Sequence, residues 1–558
     1  MPHDRTSRDT WLFWILALLV LAAGLGLRDP WPADEPRFTL AAKQMVESGE
    51  WLFPHRGGEL YPDKPPLFMW LQAAGYTLFG SWRVAFLLPS LLAALGTLWL
   101  VVDLGTRLWT RRVGLYAGYA LLFALQFTYQ AKRAQIDPLV TFWITLGNYA
   151  LLRFFLAPAG DDRARWGFWM LGWFAAGLGT ITKGVGALVL LMLVPGIWAA
   201  LRGWQGARAP LASWKTLLGP LAFLVAVSLW LVPMATAALN HPDPAYHAYL
   251  DNILFKQTAQ RYAQSWDHPQ PPWYHLQVML TAWLPAMLAL PWALPAWRRR
   301  LRRRDARYLL PIAWWLLAVL FFSIPSGKRD VYILPALPLA CLALAPLLPG
   351  IVRRVAAQRL ALAFTLVLAV LLLAAGAGML LGEPRFEQKL VQDRGIAPAL
   401  LQAGAWMLAG MGSWGLGCAL WFGRRRAVAG VVALLAGLWV AYGLVAYPLL
   451  NDSSSARGLM RDAGARIGPD AQLGLVAWRE QNLLMADRSV ATFGFSKPPH
   501  EQIRLGIEWQ QQEPALRWLL VQDIAMLPCV DRARAQALDS ANRRGWWLLP
   551  AAATAGCP

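Results

Sequence analysis

A hydrocarbon core of roughly 30 Å is crossed by about 20 mostly apolar residues, and the first 450 residues repeat stretches of that kind. They begin near Trp11, Arg83, Val113, Pro138, Trp166, Gly184, Thr216, His275, Leu309, Val331, Ala357, Leu400 and Ala427. The pattern predicts an all-α polytopic membrane bundle of about 13 transmembrane helices over residues 1–450. After Asn451 the polar density becomes ordinary. Runs such as Leu473-Gly474-Leu475-Val476 and Trp518-Leu519-Leu520-Val521 read as strands, and 456–467 reads as helical. Residues 451–558 are therefore expected to form a small α/β domain.

Charge adds sidedness. With the N-terminus inside, the turns that must face the cytoplasm carry Arg107/Arg111/Arg112, Arg153/Arg163/Arg165, Arg202/Arg208/Lys215, the run from Arg298 to Arg307, Arg353/Arg354/Arg359 and Arg424/Arg425/Arg426. Every one is basic, as the positive-inside rule requires. An odd number of spans then puts the C-terminal domain on the outer face, the periplasm if the membrane is a bacterial inner membrane. Composition agrees: 558 residues that are 57% hydrophobic and only 15% charged, with 32 Trp, exclude a soluble protein. The net charge of +20 reads as topology and contact with anionic membrane lipids. Nucleic acid is the poorer partner, because these arginines lack a folded basic domain to sit on.

The first apolar run resembles a signal peptide in its length and in Ala22, Ala23 and Gly24, but retention is favoured because the loop it tethers carries chemistry. Of four cysteines, Cys341 and Cys418 fall inside spans as packing residues. Cys529 and Cys557 share the outer domain. In an oxidising compartment they could pair, contributing about 3 to 4 kcal/mol; two lone thiols are the alternative.

The outward turns hold acids, cations and aromatics together, the expected lining of a polar cavity at a bundle mouth. The first of them, residues 28–66, has apolar residues at helical spacing from Phe38 to Val46 and is expected to lie as an amphipathic helix in the interface, with Asp34 at one end. Glu47, Glu50 and Glu59 read as solvated acids. Asp34 does not, since an acid at a span terminus is costly unless matched by cations. Asp137 precedes Pro138 and occupies an N-cap position, which is compatible with a role in the site. Lys64, Lys183, Arg261, Lys328 and Arg329 stand beside spans on the outer side, a set able to clamp a phosphate at headgroup depth.

Together, Asp34-Glu35-Pro36-Arg37, the Ser48-Gly49-Glu50-Trp51 turn and Asp63-Lys64-Pro65-Pro66 resemble the polyprenyl-phosphate-sugar glycosyltransferases. These include the lipid A aminoarabinose transferases and, more distantly, the protein O-mannosyltransferases, enzymes of family 39 type with a GT-C fold. The resemblance continues through 133–138, 182–184, 252–261, His268 to Tyr274 and Val331 to Pro335, so it covers most of residues 30–340 in order. It implies a glycosyltransferase that takes a hexose or pentose from a polyprenyl-phosphate donor and passes it, with inversion, to an envelope lipid or glycan such as lipid A. On the same resemblance Asp34 is the general base, or orients an acceptor that is already anionic, and Asp137 assists it. Lys64, Arg261, Tyr332 and Lys328 hold the departing lipid phosphate, with Glu35, Arg37, Asp63, Lys183 and His268 around them. Two departures stand out: Asp63 replaces a glutamate usual in close relatives, and Ser326 to Asp330 is more heavily charged than a plain Ser-Lys turn.

No cofactor is required by this reading. A divalent metal stays open, since His55, His241, His247, His268 and His275 map to the outer side, but none has the spacing of a tight site. No Gly-rich phosphate loop or dinucleotide fingerprint occurs, which favours a lipid-linked donor over a nucleotide sugar. A secondary transporter and a noncatalytic lipid-binding assembly protein are the alternatives. Acids gathered on one face, without an evident inverted repeat, argue against the first.

Overall fold

In the computed structural model of the chain, residues 2–158, 162–255, 268–382, 398–542 and 544–557 are described. Among them, Trp82–Leu108, Trp214–Leu239, Ala306–Ser323, Val355–Leu381 and Ala427–Ser454 are helical segments long and apolar enough to cross a bilayer. Tyr274–Ala282 and Ala286–Arg302, bent by 95°, make a sixth span if taken together. Pro285 stands in the break, where a missing N–H and a bulky ring interrupt the ladder.

The apolar pattern predicts further spans. Pro2–Ala22, Ile136–Phe155, Asp162–Lys183 and Pro398–Phe422 are 20 residues or longer, but charge, Trp or Gly dilutes their hydropathy. Leu67–Phe79, Gly186–Leu201 and Asp330–Leu344 are apolar but short. Length and composition alone thus support five or six crossings, against the expected thirteen. Trp11, Leu12, Ile15, Leu18 and Leu19 of the first helix are exposed, as side chains facing lipid must be, while Phe13, Ala17 and Val20 of the same helix are buried in the bundle.

Residues 28–66 form the helix Glu35–Ser48 and a hairpin of β1 (His55–Arg56) and β2 (Glu59–Leu60). The helix packs on both sides. Phe38 meets Phe68 of the bundle edge-on at 5.6 Å, and Leu40 joins a core with Leu459, Met460, Leu473 and Trp478. It is therefore held between the bundle and the C-terminal residues, because its apolar stripe is wide enough to serve two neighbours.

The C-terminal residues form a five-stranded sheet in the order β4-β3-β5-β7-β6. β3 (Gln472–Val476) runs parallel to both β4 (Val490–Thr492) and β5 (Arg517–Gln522); β7 (Arg544–Leu549) is antiparallel to β5 and to β6 (Gln536–Ala541). The helix Arg457–Ile467 precedes the sheet, and Cys529 is disulfide-bonded to Cys557. A polar tie joins these parts. Asp29 accepts hydrogen bonds from Arg83 at 2.9 and 3.1 Å, from Arg457 at 2.5 and 2.7 Å, and from the Asn451 amide at 2.8 Å.

Candidate active site

Asp34 precedes the helix Glu35–Ser48, but its side chain does not cap that helix. Its Oδ2 instead accepts from Gln135 Nε2 at 3.3 Å and from Arg329 Nη2 at 3.4 Å, and Arg37 Nη1 lies 3.9 Å from Oδ1. The carboxylate is 19% exposed, so it is partly open while its charge remains matched. Glu35, next in the chain, is sealed in. It takes a two-pronged ion pair from Arg28 at 2.5 and 2.8 Å and accepts from the N–H groups of Trp31 at 2.8 Å and Ala134 at 3.0 Å. This carboxylate ties the segment before Asp34 to the segment that carries Gln135.

Asp137 lies in the first turn of Ile136–Phe155, where Gln135 rather than Asp137 takes the cap position. Its carboxylate is ion-paired with Lys183, at the end of Asp162–Lys183, which explains why it is not spent on capping. The Lys183 ammonium sits 5.2 Å over the Tyr332 ring. Burial disfavours the charge on Arg329, but Asp34, then Asp137 and Tyr332, outweigh it and hold the guanidinium above its ordinary range. Two acids, two cations and a phenol from four separate segments therefore form one connected group.

The sequence places Arg329 among the outward cations, and the family resemblance puts Lys328 rather than Arg329 at the donor phosphate. Lys328 is buried, and its ammonium donates to the carbonyls of Gln270 at 3.1 Å and Ser326 at 3.5 Å. The backbone at Arg329 is extended, so consecutive side chains point opposite ways. That alternation was the available signal: if one of the pair faces the acids, the other faces away.

Asp63 and Lys64 are partly buried on the loop between β2 and the helix Leu67–Phe79. Arg37 also pairs with Glu480 at 3.2 Å. His268 is exposed with a left-handed backbone, and its carbonyl accepts from the N–H of Lys328 at 3.0 Å. Arg261 lies outside the described residues. Among the described residues, no group of three or more His, Cys, Asp or Glu side chains is assembled to hold a metal ion.

Residues 63–232 match the family model described as dolichyl-phosphate-mannose-protein mannosyltransferase. The undecaprenyl phosphate-alpha-4-amino-4-deoxy-L-arabinose arabinosyl transferase of Pseudomonas aeruginosa (strain UCBPP-PA14) is 31% identical over 533 residues, 89% of each chain. The chain belongs to this transferase family. The family's enzyme of Erwinia tasmaniensis is 33% identical over 341 residues, 60% of this chain and 59% of that one. Among solved structures, ArnT from Cupriavidus metallidurans bound to undecaprenyl phosphate superposes with a TM-score of 0.74 at 20% identity, covering 97% of both chains. The oligosaccharyltransferase of Archaeoglobus fulgidus in its apo form gives 0.52 at 12% identity, over 92% of this chain and 69% of that one. The fold is that of the GT-C membrane glycosyltransferases, and as a member of the arabinosyl transferase family the chain is a glycosyltransferase that uses a lipid-linked sugar.

Proposed function

We propose that this chain moves 4-amino-4-deoxy-L-arabinose from undecaprenyl phosphate to a phosphate of a lipid A-type glycolipid, inverting the anomeric centre, at the periplasmic face of the bacterial inner membrane. In this reading residues 1–450 cross the membrane about 13 times, with the loop 28–66 outside, and 451–558 form a periplasmic domain. The names of its relatives support the sugar and its carrier, and the basic inside turns support the sidedness. Substrates of this kind leave nucleic acid no part.

The observation that carries the reading is the matched cluster around Asp34 and Asp137. An acceptor oxygen attacks the anomeric carbon as the bond from that carbon to the lipid phosphate breaks, so negative charge grows on the leaving oxygen. Preorganised cations stabilise that charge without having to reorganise. Lys64, Lys183, Arg261 and the Tyr332 hydroxyl act on the lipid phosphate, while Arg329 holds the Asp34 carboxylate in place. Asp34 takes the proton of a hydroxyl or monoprotonated phosphate acceptor, or orients an acceptor already fully ionised. Asp137 holds Lys183 in place. Lys328 supports the backbone that presents Arg329.

Purified protein in lipid nanodiscs, given the undecaprenyl-phosphate amino sugar and lipid A, tests this. Asp34→Asn is expected to lower turnover by about 100-fold or more, with donor binding retained; unchanged turnover removes Asp34 from the chemistry. Lys64→Ala should raise the donor KM, and an identical donor titration would count against its place at the phosphate.

A further inference from the structure

At the carboxyl ends of β3 and β5 the C-terminal sheet opens into a cavity of about 530 Å3. From β3 the chain goes first to β4 on one side and then to β5 on the other, so the gap between β3 and β5 is a topological switch point. Diverging connections leave a crevice there, the usual ligand position in open parallel sheets. The residues following the two strands line it: Trp478 and Arg479 beyond β3, Gln522 and Asp523 at the end of β5. Arg544, at the start of β7, and the first turn of the helix Pro499–Gln512 close the sides. The positive end of that helix dipole adds to the field.

The charges here are not balanced internally. Lys497 on the wall is paired with Glu501 at 2.8 Å, and Asp523 accepts from the Trp547 indole. Arg479 and Arg544 have no carboxylate within ion-pair distance among the described residues; Arg544 donates only to Gln522 Oε1, at 3.1 Å. Burial, followed by the charge of Arg479, lowers the pKa of Arg544, as expected for two guanidiniums sharing one crevice. Trp478, 3% exposed, meets Phe495 edge-on at 5.0 Å and forms an aromatic wall of the crevice.

The crevice also adjoins the catalytic loop. Glu480, the residue after Arg479, pairs with Arg37 at 3.2 Å and Arg56 at 3.6 Å, and Arg56 stacks 3.9 Å over Phe495 on the cavity wall.

We propose that this crevice is an anion subsite that binds a phosphate monoester carried on a saccharide, through the forks of Arg479 and Arg544. Guanidinium forks match phosphate oxygens in pairs, and an aromatic wall suits a sugar face. This rests on the proposed function: the subsite holds one phosphate of the acceptor head group while another part of that head group reaches Asp34.

The test measures binding without donor, using the full chain in phosphatidylcholine nanodiscs. The soluble probes are glucosamine 1-phosphate, inorganic phosphate and unphosphorylated glucosamine; the membrane probes are nanodiscs doped with diphosphorylated lipid A or with phosphatidylglycerol. Glucosamine 1-phosphate is expected to bind more tightly than glucosamine, with affinity falling about tenfold in Arg479→Gln/Arg544→Gln and in the single exposed change Arg479→Glu. Binding of lipid A alone, lost in the same variants, identifies the lipid-borne head group as the source. In the transfer assay these variants should raise the acceptor KM and leave the donor KM unchanged. Equal binding by wild type and variants, no binding of glucosamine 1-phosphate or of lipid A, or equal binding of phosphatidylglycerol overturns the proposal. Since no donor is present, an Asp34→Asn variant that still transfers sugar would defeat the catalytic reading and leave this binding result standing.

Discussion

Asp34 and Glu35 are adjacent carboxylates with opposite surroundings. Glu35 is 1% exposed and fully engaged by Arg28, Trp31 and Ala134, so it acts as a clamp that fixes where its neighbour stands. Removing one partner of a buried ion pair leaves an uncompensated charge, at a typical cost of about 3 to 5 kcal/mol. Glu35→Ala is accordingly expected to lower the midpoint of thermal unfolding in detergent and to abolish transfer, whereas Asp34→Asn abolishes transfer with little change in that midpoint. Lys328 and Arg329 should separate in the same way. Arg329→Ala is expected to cut turnover at least tenfold with a near-native melt. Lys328→Ala is expected to lower the melt, because its ammonium satisfies the carbonyls of Gln270 and Ser326. Residue type alone made both lysine and arginine eligible. Only the extended backbone at 329 distinguishes them.

Among the elements, the β1–β2 hairpin connects the loop that carries Asp34 to the C-terminal sheet. Its two-residue turn, Gly57-Gly58, has φ of 63° and 86°, the left-handed pair that such hairpins require. A Cβ on Gly57 would come within 2.3 Å of the Trp478 ring. Gly57→Ala is thus expected to combine backbone strain of about 1 kcal/mol with a clash against a buried indole, loosening the hairpin. Limited proteolysis of the 49–66 loop would register this as faster cleavage, and an unchanged cleavage rate would mean that the hairpin is not held by Trp478. The helix Glu35–Ser48 was legible from its apolar spacing, and so were the runs now found in β3 and β5. What the helix packs against was not legible, because an amphipathic stripe looks the same whether it meets lipid, a bundle or a sheet.

Across the whole molecule, Asp29 joins the 28–66 loop, the bundle helix that carries Arg83 and the C-terminal helix that carries Arg457. Burial pushes its carboxyl up, but hydrogen bonds from Arg457, Arg83 and Asn451 win and hold it down to about 2, below the usual 3.8. A lowered acid contributes stability that is complete above pH 3.8 and is lost as pH falls toward 2, about 2 kcal/mol here. The melting-temperature gap between wild type and Asp29→Asn should therefore stay constant from pH 7 to about pH 5 and close as pH approaches 2. A gap that is insensitive to acid would mean that the tie does not titrate in this way.

Hydropathy, the basic turns and the order of short motifs are properties of neighbouring residues, so a membrane helical bundle, strands after Asn451 and the lipid-linked transferase family were legible from residue order alone. The convergence of Asp34, Asp137, Lys183 and Arg329 was decided only by the tertiary structure. Asp34 and Arg329 are 295 residues apart, and no local pattern encodes the packing that brings a loop, two helix ends and an extended turn to one point. The cation that faces the acid was likewise chosen by backbone direction, and the meeting of Arg479 and Arg544 at the C-terminal switch point became visible only once strand order separated β4 from β5.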